Sequence, residues 1–324
     1  MESIITGRIT GLEMLEIGPC KDSYEMGFLI GQRFSRQINS RLAKDLILRN
    51  QLLPFAHSPH SHSLLKSLSE NNMRRYPNYW DELQGTAQGS GVPFLEIMLL
   101  NFRKEILPFI PKAEESSSID TNDDCSDILV VSDSMAVAAH NEDANIALVG
   151  HTYLIKGNLP NGSSFTAYTY AGELPSCAFG FNSHGLIPAG VHAESVPPSK
   201  HEIDAGAIGR NFICRDLLEA QSIDDALTEN DENSLSRQKR AVVLPKASRK
   251  DLLLLLGDRN DSKYPIYMGG PLLYTLCTVV VNLDEKTLSI IEGDPKETQP
   301  SLSSPCPDLV CMMELERLHS YHDY

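Results

Sequence analysis

The chain changes character once along its length, and that change limits the folds open to it. Up to about residue 110 the apolar residues recur at helical spacing; beyond an acidic linker they fall into short β-type runs separated by turn residues. Asp22 and Ser23 can cap a helix on which Phe28, Leu29, Phe34, Ile38, Leu42 and Leu46 share a face. Gly27 and Gly31 lie one turn apart on that helix, which costs stability unless something packs closely against them. A second helix is expected from Pro77 through Trp80, Leu83 and Ala87 to Gly89-Ser90-Gly91, and a third over 95–106 after Pro93. The segment 111–124 is polar, acidic and nearly free of apolar residues, as an exposed linker would be. A hairpin follows, opening at Cys125, with strands over 128–131 and 135–139 around Ser132-Asp133-Ser134. Further strands are expected at 152–156, 165–170, 178–181 and 186–192, with turns at Asn161-Gly162 and His184-Gly185. A helix over 212–220, continued from Ser222, precedes a charged stretch at 228–250 that reads as solvated. A second hairpin pairs 275–283 with 288–291 across Asp284-Glu285-Lys286, and the tail 300–324 reads as loosely attached. The class is α+β, divided into a helical region over 1–124, a strand-rich region over 125–299 and an atypical tail.

Charge removes several functions. With 43 Asp plus Glu against 28 Lys plus Arg the net charge is −15, so the chain lacks the basic footprint needed for nucleic acid and for an anionic membrane surface. Small neutral or cationic partners remain. No apolar stretch approaches the ~20 residues of a membrane helix, and the N-terminal residues do not form a secretory signal. Seven cysteines without metal-site spacing argue for reduced thiols and against zinc, and with no Gly-rich phosphate loop in the sequence no cofactor is expected. A soluble, cytoplasmic protein is expected.

Cys125 stands where the helical region ends and the first hairpin begins. If the Asp124–Cys125 peptide bond were cut, Cys125 would carry both a thiol and a free α-amine. Such an amine has an ordinary pKa near ~8, so it can accept the thiol proton without help from a histidine. That is the logic of an N-terminal nucleophile hydrolase. The plain alternative is a small residue that merely opens a strand.

Several stretches resemble one family in order and spacing. They are Gly27-Phe28-Leu29-Ile30-Gly31-Gln32, the run from Glu82 through Gly85 to Gly89, and Leu100-Asn101 with Glu105. Beyond the linker come Asp124-Cys125-Ser126, His140-Asn141-Glu142-Asp143, Gly180-Phe181-Asn182-Ser183-His184-Gly185, Arg215 with Leu217-Leu218-Glu219-Ala220, and 275–295. The chain thereby resembles the acyl-coenzyme A:isopenicillin N (6-aminopenicillanic acid) acyltransferases, also classed as peptidase family C45. The resemblance implies an αββα sandwich formed by a self-cleaved precursor whose two fragments stay associated. It implies attack of the Cys125 thiol on the Asp124 carbonyl, then transfer of an acyl group from a thioester or amide donor to an amine or water. Acyl-coenzyme A would be one such donor. Asp143, 18 residues after Cys125, matches the family's catalytic aspartate, and Asn141 would donate a hydrogen bond beside it. Ser236-Arg237 resembles the pair that contacts substrate, where the arginine would suit a carboxylate.

Two departures from that pattern open an alternative. Asp124 stands where the family usually has glycine, and Asp123, Asp124 and Asp127 would raise the thiol pKa. The strands that should carry an oxyanion-hole asparagine between Leu227 and Ser236 are absent. Losing one such donor costs ~100 to 1,000-fold in rate. The second reading is therefore a shortened, catalytically inactive binding or regulatory homologue. A papain-like Cys-His protease is disfavoured, because Cys125 opens a β-run instead of a helix. His140, His184 and His192 read as ordinary hydrogen-bonding residues at strand ends.

Overall fold

The computed structural model describes residues 12–111, 125–132, 135–175, 178–185, 199–221, 248–260, 265–270 and 273–305. Four layers follow from the alternation of side chains along two sheets. The first sheet has strand order β1-β4-β5-β6, with β1 at Met14–Ile17, β4 at Thr152–Asn158, β5 at Ser164–Tyr170 and β6 at Gly180–Asn182. The second has order β2-β3-β7-β8-β9, with β2 at Ser126–Ser132, β3 at Met135–Asn145, β7 at Leu273–Asn282, β8 at Thr287–Ile291 and β9 at Leu302–Pro305. The helices are α1 Ser23–Arg33, α2 Ser35–Lys44, α3 Leu53–Ala56, α4 His62–Arg75, α5 Pro77–Ser90, α6 Phe94–Asn101, α7 Arg103–Ile106, α8 Lys200–Asp204, α9 Arg210–Leu217 and α10 Arg249–Leu256.

On β4 and β5, Tyr153, Ile155, Phe165 and Ala167 face the helices and share one core with Ile30, Ile38, Leu83 and Leu99. Their neighbours Leu154, Tyr168 and Tyr170 point the other way and meet Val279, Val281 and Ile290 between the sheets. On the far side, Leu252 and Leu256 of α10 cover Val137, Ala139 and Val280. The order is helix, sheet, sheet, helix, as the αββα expectation requires. Among the described residues no helix is long and apolar enough to cross a membrane.

The glycines of the first helix find close packing. A Cβ on Gly27 would lie 1.9 Å from the Glu82 carbonyl oxygen, and one on Gly85 would lie 2.1 Å from the Tyr24 carbonyl oxygen. The backbones of α1 and α5 therefore touch, and a methyl group at either position would force them apart. Other contacts tie the helical region to the chain beyond the linker. β1 joins the first sheet parallel to β4, Arg215 places Nε 3.2 Å from Glu82 Oε2, and Gly209 donates its N–H to Asn72 Oδ1 at 2.9 Å.

Three expectations need correction. The helix expected from Asp22 to Leu46 breaks at Phe34, whose ring leaves the helical line to stack on Tyr153 at 3.6 Å. The helix expected over 95–106 breaks in the same way at Phe102, whose buried ring stacks on Phe212 at 5.5 Å. The tail is not loose throughout, since β9 extends the second sheet by pairing with β8. β1 and α4 have no counterpart among the expected elements. The linker, the 186–192 strand, the continuation from Ser222 and residues 306–324 lie outside the described residues.

Candidate active site

The β2–β3 hairpin sets the geometry around Cys125. Ser132 pairs with Met135 and Ser126 with Asn141, so one further step brings Cys125 alongside Glu142. Paired residues in an antiparallel ladder project to the same face. Cys125 accordingly shares a face with Glu142 and, two residues away, with His140. Asn141 and Asp143 take the opposite face.

Contacts on the inner face agree with that count. The Asp143 N–H approaches Cys125 Sγ at 3.5 Å, and the Asp143 carbonyl oxygen lies 3.8 Å from the sulfur. The thiol also hydrogen-bonds the His140 side chain. His140 Nε2 is 2.8 Å from Glu142 Oε2, and the Tyr170 hydroxyl donates to Glu142 Oε1. His140 and Glu142 are buried, and His140 meets the Phe179 ring edge-on. Donor atoms of Cys125, His140 and Glu142 all lie within 4.8 Å of one another, which makes them the metal-donor cluster among the described residues.

Burial, followed by the Glu142 carboxylate, pushes the Cys125 thiol up to about 12, although the His140 hydrogen bond works in the opposite direction. In the intact chain the sulfur is therefore protonated near neutral pH, and reaction requires a base that removes its proton. His140 is the basic side chain placed against it.

Cys125 and Glu142 line a cavity together with Tyr170, Arg41, Glu173, Asn101 and Asn211. Its wall is tightly bonded. Arg41 pairs with Glu173 and donates to the Ala171 carbonyl at 2.8 Å, while its guanidinium lies 5.9 Å from the centre of the Tyr170 ring. Asn211 donates to Glu173 Oε2 at 3.2 Å, and Asn101 donates to the Gly172 carbonyl at 3.0 Å. Residues from both sides of the linker thus build one cavity, and it carries charges of both signs.

The outer face of β3 has a different character. Asn141 donates to the carbonyls of Leu256 at 2.8 Å and Ile266 at 3.0 Å, and accepts from Thr278 Oγ1 at 2.6 Å. The Asp143 carboxylate accepts from the Thr275 hydroxyl, which itself receives the Met268 N–H at 2.8 Å. A shift in the β3–β7 register between Glu142 and Asp143 brings Thr275 opposite Asp143. The structure therefore joins Asp143 to Cys125 through its backbone and directs the Asp143 and Asn141 side chains toward the outer layer. Asp124, Ser236 and Arg237 lie outside the described residues.

Sequence reasoning passes over Glu142, Tyr170, Arg41 and Glu173, and gives His140 only a generic role. Only the observed register, with Ser132 opposite Met135, puts His140 and Glu142 on the face of Cys125. Nothing in the local sequence marks Arg41 and Glu173, which are 132 residues apart and meet only in the folded molecule.

Residues 130–232 match the model of the acyl-coenzyme A:6-aminopenicillanic acid acyl-transferase family. The matched stretch contains His140 to Asp143 and ends before Ser236. A β-alanyl-dopamine/carcinine hydrolase of Drosophila melanogaster is 30% identical over 213 residues, covering 63% of this chain and 53% of the relative. The chain spans about half the length of that curated relative.

Proposed function

We propose that this chain, whose residues 130–232 match the model of the acyl-coenzyme A:6-aminopenicillanic acid acyl-transferase family, is a member of that family and a self-cleaving, cysteine-dependent acyltransferase or amidohydrolase. The observation that carries the reading is the Cys125 thiol at the wall of a cavity, bonded to a buried His140 with Glu142 behind it.

Before cleavage Cys125 has no free α-amine, so His140 takes the thiol proton while Glu142 stabilises the imidazolium that results. Sγ attacks the Asp124 carbonyl, the C–N bond breaks, and the departing Cys125 nitrogen receives a proton from His140. Water then hydrolyses the Asp124 thioester, releasing a carboxylate on Asp124 and a free thiol on Cys125. In the mature protein the new α-amine serves as the base. Sγ takes the acyl group from an amide or thioester, the amine or thiol of the donor leaves with a proton, and the acyl-Cys125 thioester passes its acyl group to an amine or to water. Asp143 and Asn141 hold the end of the hairpin from the outer layer, and Ser236 and Arg237 are assigned to substrate contact on resemblance alone.

The name of the Drosophila relative supports a substrate that is the amide of a small amino acid with an alkylamine bearing an aromatic ring. Glu142 and Glu173 on the cavity wall suit the ammonium group of such an acyl moiety, and acyl-coenzyme A is the alternative thioester donor. The contacts of residues 12–111 with β4 and with α9 and its N-cap support fragments that remain together after cleavage.

The test is to incubate the purified protein with β-alanyl-dopamine and with an acyl-coenzyme A, and to follow both turnover and the mass of the Cys125 peptide. Turnover with a transient acyl adduct on Cys125, both absent in Cys125→Ala, is the expected result. Undiminished turnover in Cys125→Ala would remove the cysteine from the mechanism. Binding without turnover or adduct would favour the inactive homologue, a reading supported by the raised thiol pKa in the intact chain.

A further inference from the structure

We propose that Cys125, His140 and Glu142 form a Zn2+ site that locks the nucleophile. No metal spacing is visible along the chain, because the three ligands come from one hairpin. Glu142 and His140 are two residues apart on one face of β3, and Cys125 lies across the ladder from Glu142. The hairpin converts that arrangement into a cluster of one sulfur, one imidazole nitrogen and one carboxylate oxygen within 4.8 Å. This mixture of ligands suits zinc better than the hard cations, which prefer oxygen alone.

The dimensions allow it. With Zn–S near ~2.3 Å and Zn–N and Zn–O near ~2.0–2.2 Å, tetrahedral ligand atoms sit ~3.3–3.6 Å apart. The His140 Nε2 to Glu142 Oε2 separation of 2.8 Å would need to open slightly, with the ion taking the place of the proton between them. Charge balance also favours the site. A thiolate and a carboxylate neutralise the divalent ion, so little net charge is buried between the sheets. Binding releases the thiol proton to solvent, and the proton displaced from between His140 Nε2 and Glu142 is carried on His140 Nδ1, so that the neutral imidazole is the ligand. Surrounding groups already hold two of the ligands, since the Tyr170 hydroxyl donates to the other oxygen of Glu142 and the Asp143 N–H points at Sγ. Cys125 and Glu142 both line the cavity, which leaves the fourth position open to water or a small ligand.

A sulfur committed to zinc cannot attack Asp124 or an acyl donor, so zinc would inhibit both cleavage and turnover. Metal binding itself stands apart from the enzymatic reading; the inhibition rests on that reading. Titration of the purified full chain with Co2+ tests binding directly, because thiolate coordination produces a near-ultraviolet charge-transfer band that exposed histidines such as His57, His60 and His62 cannot produce. One saturating equivalent with that band, displaced by Zn2+, is expected. Cys125→Ser should abolish the band, His140→Gln and Glu142→Gln should weaken binding by at least ~10-fold, and Cys277→Ser should leave it unchanged. Thermal melts of the metal-free variants check that each is folded. In a second measurement on the unmodified chain, Zn2+ should protect the Cys125 peptide from alkylation. A band that survives in Cys125→Ser, or a Cys125 alkylated equally fast with and without Zn2+, would overturn the site. Binding without inhibition of turnover would leave the site standing and contradict the role of Cys125 in catalysis.

Discussion

The two faces of β3 carry similar residue types and put them to different uses. On the outer face Asn141 and the Asp143 carboxylate are bonded to Thr278, Thr275 and the carbonyls of Leu256 and Ile266, under the cover of α10. On the inner face His140 and Glu142 are equally buried, but their bonds run to one another, to Tyr170 and to a thiol at a cavity wall. An amide and a carboxylate on one side fix the strand in place. An imidazole and a carboxylate on the other side sit beside the group that would react. Polar residues at alternate positions of one strand can thus serve structure and chemistry separately, divided by the sheet itself.

Substitutions on each face can break or sharpen that contrast. Cys125→Ala should have the largest effect, eliminating cleavage and turnover in a chain that still unfolds cooperatively; cleavage assayed by gel and intact mass decides it. His140→Gln should slow the first cleavage ~100-fold or more, as expected when a general base is lost. A normal cleavage rate in that variant would move the base elsewhere. On the outer face, Asn141→Ala leaves two carbonyls and a threonine hydroxyl without their partner, so stability should fall by ~1–3 kcal/mol for each group that water cannot reach. Urea unfolding measures this, and cleavage should persist wherever the variant is folded. Abolished cleavage at full stability would instead make the outer face catalytic and remove the contrast. Thr275→Val removes one hydrogen bond to the buried Asp143 carboxylate and leaves the Met268 N–H without its acceptor, so stability should fall by ~1.5–3 kcal/mol with the cleavage rate little altered.

Much of the architecture is legible in local chemistry, and the failures have identifiable causes. Asp22 caps α1 by accepting the Glu25 N–H at 2.8 Å, and Gly91 ends α5 with a positive φ of 73°, both as their residue types suggest. Gly27 and Gly31 signal a close helix contact, and α5 supplies it. Periodicity does not reveal the breaks at Phe34 and Phe102, because a tertiary stacking partner overrides an otherwise continuous helical pattern. β1 is four residues long and pairs with a strand more than 130 residues away, so its pairing leaves little local trace.

At the site, Cys125 is conspicuous because it stands at the change of pattern. The inner-face pair is not legible from the expected turn: strands flanking Ser132-Asp133-Ser134 would set Val131 opposite Met135 and Cys125 opposite Asn141, whereas the observed pairing of Ser132 with Met135 shifts the register by one residue and brings Cys125 beside Glu142. A one-residue difference in register thus decides between Asn141 with Asp143 and His140 with Glu142 as the side chains on the face of Cys125. Arg41 and Glu173 are beyond reach, for their pairing depends on how the helices pack on the first sheet.

The most direct test of the central claim, that the inner face of β3 activates Cys125 in the intact chain, is a time course of intact mass on freshly synthesised protein. The 324-residue species is expected to give way to fragments 1–124 and 125–324, much more slowly in His140→Gln and not at all in Cys125→Ala. Cleavage at the same bond in Cys125→Ala, or at an unchanged rate in His140→Gln, would contradict it.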